Sequence, residues 1–470
     1  MIKNRIDFIN QTYQLQIDNK DNIRKTTVKE RISLLKKLEC EILAHRNQIV
    51  EALHLDFRKS KVEAESTEIF PVLSEIRLFK NKLSDWAKPK SVSNNLVFFG
   101  SDAKIQYEPK GNCLIISPWN YPFQLAIVHL VACVAAGNTA IIKPSEFSPN
   151  TNLIITKIIK NVFHENHVAV VEGEIEETTH LLSKKFDHIH FTGSPAVGKI
   201  VMAAGAKHLS SVTLELGGKS PLIIDDSLNM ETIVSKAMWG KLINNGQTCI
   251  APDFILIKEE LLQPFIDAFI KHIDCVFNNN PQASPDLARM INAKHFNRVK
   301  SLIEDAIAKG ASCPYGNVYN ETDLYIKPTL LTHLPLDARI LKEEIFGPVF
   351  PVLTYQSTEE VVSYINQGEK PLALYIFSKK KDFIDQITNQ TSSGAVLINE
   401  TLLHIMHPNL PFGGVNNSGI GSSTGWFGFE DFSHAKPVLN VNQLFSPTKF
   451  LNYPYKSFTQ SLIDFMIKYL

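Results

Sequence analysis

In the N-terminal segment, apolar residues recur at helical spacing. Ile32, Leu34, Leu35, Leu38 and Ile42 mark one stripe of a charged, Leu- and Glu-rich stretch running from about Asn19 to Pro89, which predicts a helical lead-in. The pattern then changes. Short apolar runs at Cys113–Ser117, Thr139–Lys143, Val168–Val171, His188–Phe191 and Val212–Leu216 are separated by helical stretches. Runs of this length alternating with helices predict βα units around a buried parallel sheet, a Rossmann-like α/β arrangement. After Gly217-Gly218 a second α/β pattern opens with Pro221–Ile224 and continues through Phe254–Ile257 and Val349–Val352 to Gly394–Ile398. Residues 88–107 and the Gly-rich stretch Pro411–Gly428 fit neither pattern and suit an arm or bridge.

Composition narrows the class. With 44% hydrophobic and 20% charged residues, the chain has the make-up of a folded soluble protein of more than one domain. Lys plus Arg and Asp plus Glu are 48 each, so no overall field recruits nucleic acid or an anionic membrane. The six cysteines form no C-x-x-C pair, which argues against a zinc ribbon or a disulfide framework and fits a reducing cytosol. The first residues lack the continuous apolar stretch of a secretory signal. The longest apolar run, Leu125–Gly137, is interrupted by His129 and is shorter than the roughly 18 to 20 residues that span a bilayer.

Candidate chemistry gathers at the ends of these runs. Cys249 follows the turn Asn244-Asn245-Gly246, an open approach suited to a nucleophilic thiol, although a lone cysteine is ordinarily a small buried hydrophobe. Alternation in Val212–Leu216 puts Glu215 on the face opposite Val212, Leu214 and Leu216. Desolvation at a strand end predicts a raised pKa and a general base, against the plainer reading of a solvated glutamate. Asn120 lies in the turn after the first strand, where its amide suits an oxyanion or merely a helix cap. Gly193, Ser194 and Gly198 open a helix after a strand, a place for a pyrophosphate, but their spacing matches neither the usual dinucleotide fingerprint nor a P-loop. Lys143, Ser145 and Glu146 offer ribose contacts or a solvated loop. His404 and His407 have no third ligand nearby, so no metal site is expected.

Taken in order, Pro118-Trp119-Asn120, Lys143-Pro144-Ser145-Glu146, Phe191-Thr192-Gly193-Ser194, Leu214–Pro221, Gly246-Gln247-Thr248-Cys249, Glu343–Pro348 and Leu410–Gly414 resemble the motifs of the aldehyde dehydrogenase superfamily. The resemblance runs from the N-terminal helices to about Gly428. Gln247–Asp253, the short N-terminal region and the ending Asn452–Lys456 are most similar to the class 3 branch, whose members oxidise medium- to long-chain aliphatic and aromatic aldehydes.

The resemblance implies an NAD(P)-binding domain over 1–216 with an arm inserted near 88–110. A catalytic domain over 217–398 and a return to the bridging, oligomerisation region with a terminal helix over 399–470 would follow. It implies Cys249 as nucleophile, Glu215 as the base for the deacylating water, and Asn120 with the Cys249 N–H as oxyanion donors. Lys143 and Glu146 would meet the adenosine ribose, Gly193 and Ser194 the pyrophosphate, and Glu344 and Phe346 the nicotinamide ribose and ring; Trp119, Ser145 and Gly198 complete the expected cofactor contacts. NAD is expected over NADP because Glu146 would repel a 2′-phosphate. A cytoplasmic homodimer acting on a small-molecule aldehyde is expected, with neither nucleic acid nor a membrane span.

There are two departures from the family pattern. Phe254 stands where class 3 proteins often have Tyr, and Asn416 replaces a glycine of the Phe-Gly-Gly-Val-Gly-Asn stretch. Lys456–Leu470 is expected to form a short amphipathic helix docked on the body or a dimer partner. Loss of Cys249, Glu215 or Asn120 would have pointed to an inactive relative, and Glu215 disfavours a CoA-acylating one.

Overall fold

The computed structural model describes residues 2–444, 446 and 448–469. The lead-in is helical from its start. Ile2–Arg24, Val28–Ala44, Arg46–Phe57 and Phe70–Trp86 are helices, so helical structure begins well before Asn19. The first helix was illegible as a pattern because its apolar stripe is thin. Ile9 is fully buried, while Ile6, Phe8 and Tyr13 only lean on the core beneath. A polar contact holds it as well: Gln16 Nε2 donates to the carbonyl of Ala140 at 2.9 Å.

The first sheet has the order Gly419–Ile420, Ser211–Glu215, His188–Thr192, Asn112–Ile116, Thr139–Lys143, Val168–Val170. Five strands are parallel and only Gly419–Ile420 runs against its neighbour. From Asn112–Ile116 the chain builds outward on one side, then returns to build on the other. The carboxyl ends of Asn112–Ile116 and His188–Thr192 therefore flank a topological switch point, where crevices open in such sheets. Helices cover both faces, so alternate residues of one strand enter different cores: Cys113 and Ile115 in one, Leu114 and Ile116 in the other.

The second sheet has the order Ser312–Tyr315, Thr329–Thr332, Val349–Tyr355, Phe254–Lys258, Pro221–Ile224, Ala373–Phe377, Ala395–Ile398. Three of these strands, including the fully buried Ala373–Phe377, go beyond the runs singled out in the sequence. Phe254 lies in the core of this sheet, edge-on to Tyr364 with centroids 5.6 Å apart. A third, antiparallel sheet joins Lys90–Ser91 and Asp102–Pro109 to Ser433–Asn440, linking two distant parts of the chain. Asn416 adopts φ 55°, and its side-chain oxygen accepts from Lys370 at 2.7 Å.

The terminal helix forms over Ser457–Tyr469; Leu470 lies outside the described residues. Thr459 is buried, while Phe458, Phe465, Ile467 and Tyr469 are all more than half exposed.

One buried ion pair ties the lead-in to the first sheet. Lys59 and Glu68 are both fully buried, and Lys59 Nζ lies 2.7 Å from Glu68 Oε1. The other carboxylate oxygen accepts the N–H groups of Phe123 and Gln124 at 3.1 and 2.9 Å, in the first turn of helix Pro122–Ala136. Those donors have no partner within the helix, and a negative charge there also complements the helix dipole. Lys59 Nζ donates in addition to the carbonyl of Asn120 at 3.0 Å. Lys59→Met removes the cation paired with a buried carboxylate and is expected to destabilise the fold by about 3–5 kcal/mol in urea unfolding. The double variant Lys59→Met/Glu68→Leu is expected to recover much of that loss.

Candidate active site

Two cavities meet at one point. A polar-rimmed crevice of about 270 Å³ is lined by Trp119, Asn120, Gly193, Ser194, Glu215, Cys249, Glu344 and Phe346, together with Thr192, Gly217, His295 and Arg298. An apolar tunnel of about 400 Å³ runs in from the other side, past Phe70, Leu125, Val128, Trp239, Ile243, Ile250, Leu402, Met406 and Phe412. Thr192, Glu215 and Cys249 line both.

The turn that presents Cys249 is held in an unusual conformation. Asn244, Asn245 and Gly246 have φ of 50°, 54° and 76°, the left-handed region that Asn tolerates and Gly adopts freely. A side chain at Gly246 would also collide with the carbonyl of Gly347. Side-chain bonds then fix the turn. Asn244 Nδ2 donates to the carbonyls of Asn120 and Gln247 at 2.8 and 3.0 Å. Gln247 Nε2 donates to the carbonyls of Asn244 and Arg289, and its Oε1 accepts from the Ile291 N–H. Asn120 Nδ2 donates to the Gln247 carbonyl at 3.1 Å, which ties the amide to the cysteine loop. None of these supporting roles was read from the sequence; the signal available was two consecutive Asn before a Gly.

Burial raises the Cys249 thiol above its ordinary pKa. The carboxylates of Glu344 and Glu215 push it further, and the backbone N–H groups of Cys249 and Ile250 pull only partly back. The resting sulfur is thus a thiol. Glu344 is itself pushed up to about 7 by burial and by Asp253, while the Gly218 N–H opposes. Gly217 is required here because an added side chain would strike the Glu344 carboxylate. Arg298 holds the next turn by donating to the Glu344 carbonyl at 2.9 Å and to that of Ile345. Trp119 forms an aromatic wall with Phe346 and His295, at centroid distances of 5.4 and 4.8 Å. His295 and Arg298 come from helix Ala293–Ala308, whose sequence gave no sign of a site.

Of the remaining expected cofactor contacts, Ser194 lines the crevice, whereas Lys143, Ser145, Glu146 and Gly198 do not. Lys143 is buried and donates to Glu146 at 3.2 Å, at the end of the neighbouring strand. Ser145 bonds within the same turn, accepting from the Phe147 N–H. Ser194 caps helix Pro195–Ala206 by accepting from the Val197 N–H. Gly198 does not reach the crevice: it is buried in that helix against Leu216, where a Cβ would stand 2.8 Å from the leucine side chain.

Glu215 differs most from expectation. It is buried, and burial alone would raise its pKa. Its neighbours reverse the sign. Thr192 Oγ1 donates to Oε2 at 3.1 Å, Ser423 Oγ donates to Oε1, and His129 Nε2 and His190 Nε2 lie 3.4 and 3.9 Å from the two oxygens. The imidazoles and their bonds hold the carboxyl well below the usual range despite burial. The raised pKa read from the strand end is therefore overturned, because the sequence did not show which side chains other elements bring to that end. The visible signal was two histidines in His188–Thr192 and one in an otherwise apolar helix.

Two groupings, His129–His190–Glu215 and His188–His190–Asp431, bring ligand atoms within 4.8 Å of one another. The His129 and His190 rings stack, with centroids 3.7 Å apart and planes at 33°. Stacked rings do not aim both in-plane lone pairs at one point, as an ion held at about 2.0–2.1 Å needs.

A model described as Aldehyde dehydrogenase family matches residues 10–438. The 4,4'-diaponeurosporen-aldehyde dehydrogenase of Staphylococcus aureus (strain NCTC 8325 / PS 47) is 44% identical over 405 residues, which is 86% of this chain and 88% of that protein. Aldehyde dehydrogenase family 3 member A2 of Mus musculus is 40% identical over 434 residues, 92% of this chain and 89% of that protein. A solved structure, "Substrate bound state of Staphylococcus Aureus AldH", superposes with a TM-score of 0.93 at 40% identity, covering 97% of this chain and 99% of that one.

Because the resting sulfur is protonated, alkylation of Cys249 by iodoacetamide in the absence of ligands is expected to quicken steadily from about pH 6 to pH 9 without a plateau. Mass spectrometry of the modified peptide against time checks it.

Proposed function

The chain belongs to the aldehyde dehydrogenase family, and we propose that it oxidises medium- to long-chain aliphatic or aromatic aldehydes to carboxylates with NAD, through a thioester on Cys249. The observation that carries this reading is the junction of the two cavities: an apolar tunnel and a polar-rimmed crevice meet at Cys249 and Glu215.

The crevice suits a dinucleotide. It opens at the switch point of a parallel sheet, has Gly193 and Ser194 at a helix start, and keeps a flat floor at Gly217 beside Glu344. Trp119, Glu344 and Phe346 would hold the nicotinamide end, and Lys143 and Glu146 the adenosine ribose further along the sheet edge. When bound, the nicotinamide supplies the hydride acceptor.

The chain's own residues do the rest. The tunnel strips water from an apolar aldehyde and brings its carbonyl to the sulfur. The Cys249 thiol gives its proton to water in the crevice as the sulfur bonds to the carbonyl carbon, and the C=O electron pair moves onto oxygen, where Asn120 Nδ2 and the Cys249 N–H donate to the charge. One such donor is worth about 3–4 kcal/mol. After oxidation the carbon is a thioester. The Glu215 carboxylate then takes a proton from water as the water oxygen bonds to the acyl carbon, and the C–S bond breaks with its electron pair leaving on sulfur. Ionised Glu215 is a ready acceptor because its neighbours favour the charged form.

Glu146 favours NAD over NADP by pairing with ribose hydroxyls and repelling a 2′-phosphate. A homodimer would cover exposed apolar residues such as Leu439 on the third sheet and Leu96 in the turn between two of its strands. A cytoplasmic location accords with the free cysteines and with the finding that no helix among the described residues is long and apolar enough to cross a membrane.

NADH absorbance with hexanal, decanal and benzaldehyde tests the reading. Activity is expected with all three and is expected to vanish in Cys249→Ala, whereas acyl-CoA as product would point to an acylating relative. Asn120→Ala is expected to lose about 10²–10³-fold in kcat, and kcat/KM should be higher with NAD than with NADP. In a second series, lengthening an alkanal along the tunnel is expected to raise kcat/KM by up to about fourfold per buried CH₂.

A further inference from the structure

Behind Glu215, away from both cavities, lies a buried group of ionisable side chains drawn from four parts of the chain. His129 comes from helix Pro122–Ala136, His188 and His190 from strand His188–Thr192, and Asp431 from the end of helix Gly425–Asp431. Lys110 reaches in from the turn before strand Asn112–Ile116. His190 stands between two carboxylates: Nε2 is 3.9 Å from Glu215 Oε1 and Nδ1 is 3.6 Å from Asp431 Oδ2. Neither of its nitrogens, nor His129 Nε2, nor Asp431 Oδ2 makes a hydrogen bond of good geometry. These three histidine side chains are 97% or more buried. Buried polar atoms left so are costly unless charge offsets the loss of water.

The arrangement is directional. Asp431 is fixed from the far side, accepting from Thr213 Oγ1 at 2.6 Å and lying 3.9 Å from Lys110 Nζ and 3.2 Å from His188 Nε2. Lys110 and the Ser211 hydroxyl face His188 Nδ1 at 3.3 and 2.9 Å, while His188 Nε2, like Asp431 Oδ2, makes no hydrogen bond of good geometry. His190 stacks on Phe432 with planes at 23°, so its ring is locked with one nitrogen toward each acid. Orientation of an imidazole by a buried aspartate, and of a reacting group by that imidazole, is a known way to fix proton chemistry.

We propose that His190, oriented by Asp431, is a positioning residue that holds the Glu215 carboxylate between the two cavities and keeps it ionised for deacylation. This rests on Glu215 being the base. His129 and Cys249 face Glu215, with Glu344 and Glu75 in the two cavities it lines, while His129, His188 and Asp431 face His190. Burial opposes a charge on His190, but Asp431 and Glu215 together raise it to about 9, so it is the imidazolium at neutral pH. Burial and the adjacent His190 lower His129, and burial lowers His188; the cluster's positive charge therefore sits on the ring that touches both acids. Glu215 is held low first by His129, 3.4 Å away, and then by His190; a base held low in pKa stays ionised into acid, and removing the His190 cation takes away its share of that lowering.

The test is single-turnover release of carboxylate from the acyl-enzyme, measured from about pH 5 to pH 9, in the unaltered protein, His190→Phe and Asp431→Asn. The phenylalanine keeps the stacking on Phe432 and removes the charge; the asparagine is the milder change should the first disturb folding. Expected is an acidic limb moved up by about three pH units, into the measured range, so that release at pH 6 falls by about tenfold. The NADH burst and the rate on the alkaline plateau should remain near those of the unaltered protein. An unmoved limb in both variants, or equal loss at every pH, overturns the proposal. Glu215→Gln separates the premise: a normal burst with carboxylate release abolished upholds Glu215 as the base, whereas release at the ordinary rate removes the base reading itself.

Discussion

The Lys59–Glu68 pair is the constraint on which the catalytic geometry depends. A carboxylate and an ammonium withdrawn from water cost more than their attraction returns unless their remaining bonding capacity is filled. Here it is filled by the first N–H groups of helix Pro122–Ala136 and by the carbonyl of Asn120. The Asn120 loop is thus held to the helical lead-in by a contact that cannot be partly made. Asn244, in the turn before Cys249, reaches the same Asn120 carbonyl, so the Asn120 loop and the cysteine turn share one anchor.

That anchor explains how two sheets with separate cores present one site. Residues after Asn112–Ile116 and His188–Thr192 emerge at the switch point of the first sheet. Cys249 precedes Phe254–Lys258 of the second, at the end where the two sheets come together. Gly217-Gly218 makes the crossing between them with no side chain to hold them apart, and Glu344 occupies the space so left. The bonds that set the thiol's position are almost all between polar side chains and backbone carbonyls. Such bonds fix direction as well as distance, and a nucleophile needs both.

The environment of Glu215 shows how far neighbours outweigh position. Strand-end burial favours the neutral acid, yet two hydroxyls and two imidazoles from three parts of the chain favour the carboxylate. The opposite trend at Glu344, where burial and Asp253 prevail and the group sits near 7, leaves two acids beside one thiol in different states. Their difference in charge is a property of packing rather than of residue type.

Much of this was legible in the chain. Short apolar runs gave five strands of the first sheet and four of the second, and the turn before Cys249 announced itself by Asn-Asn-Gly. These signals are local, since backbone conformation and face burial depend on residues a few positions apart. Three strands of the second sheet escaped notice, and so did the first helix, whose stripe of apolar residues is too thin to read. The terminal helix formed where its pattern placed it, but its docking depends on a surface the sequence does not describe. His295, Arg298, Ser423 and Asp431 reach the site or its supports from far along the chain. Ion pairing, hydroxyl donation and desolvation act over a few ångströms of space and are blind to sequence separation. The sequence by itself determined the elements and the chemistry they carry; only the tertiary structure decided which charges face one another, and hence the ionisation of Glu215.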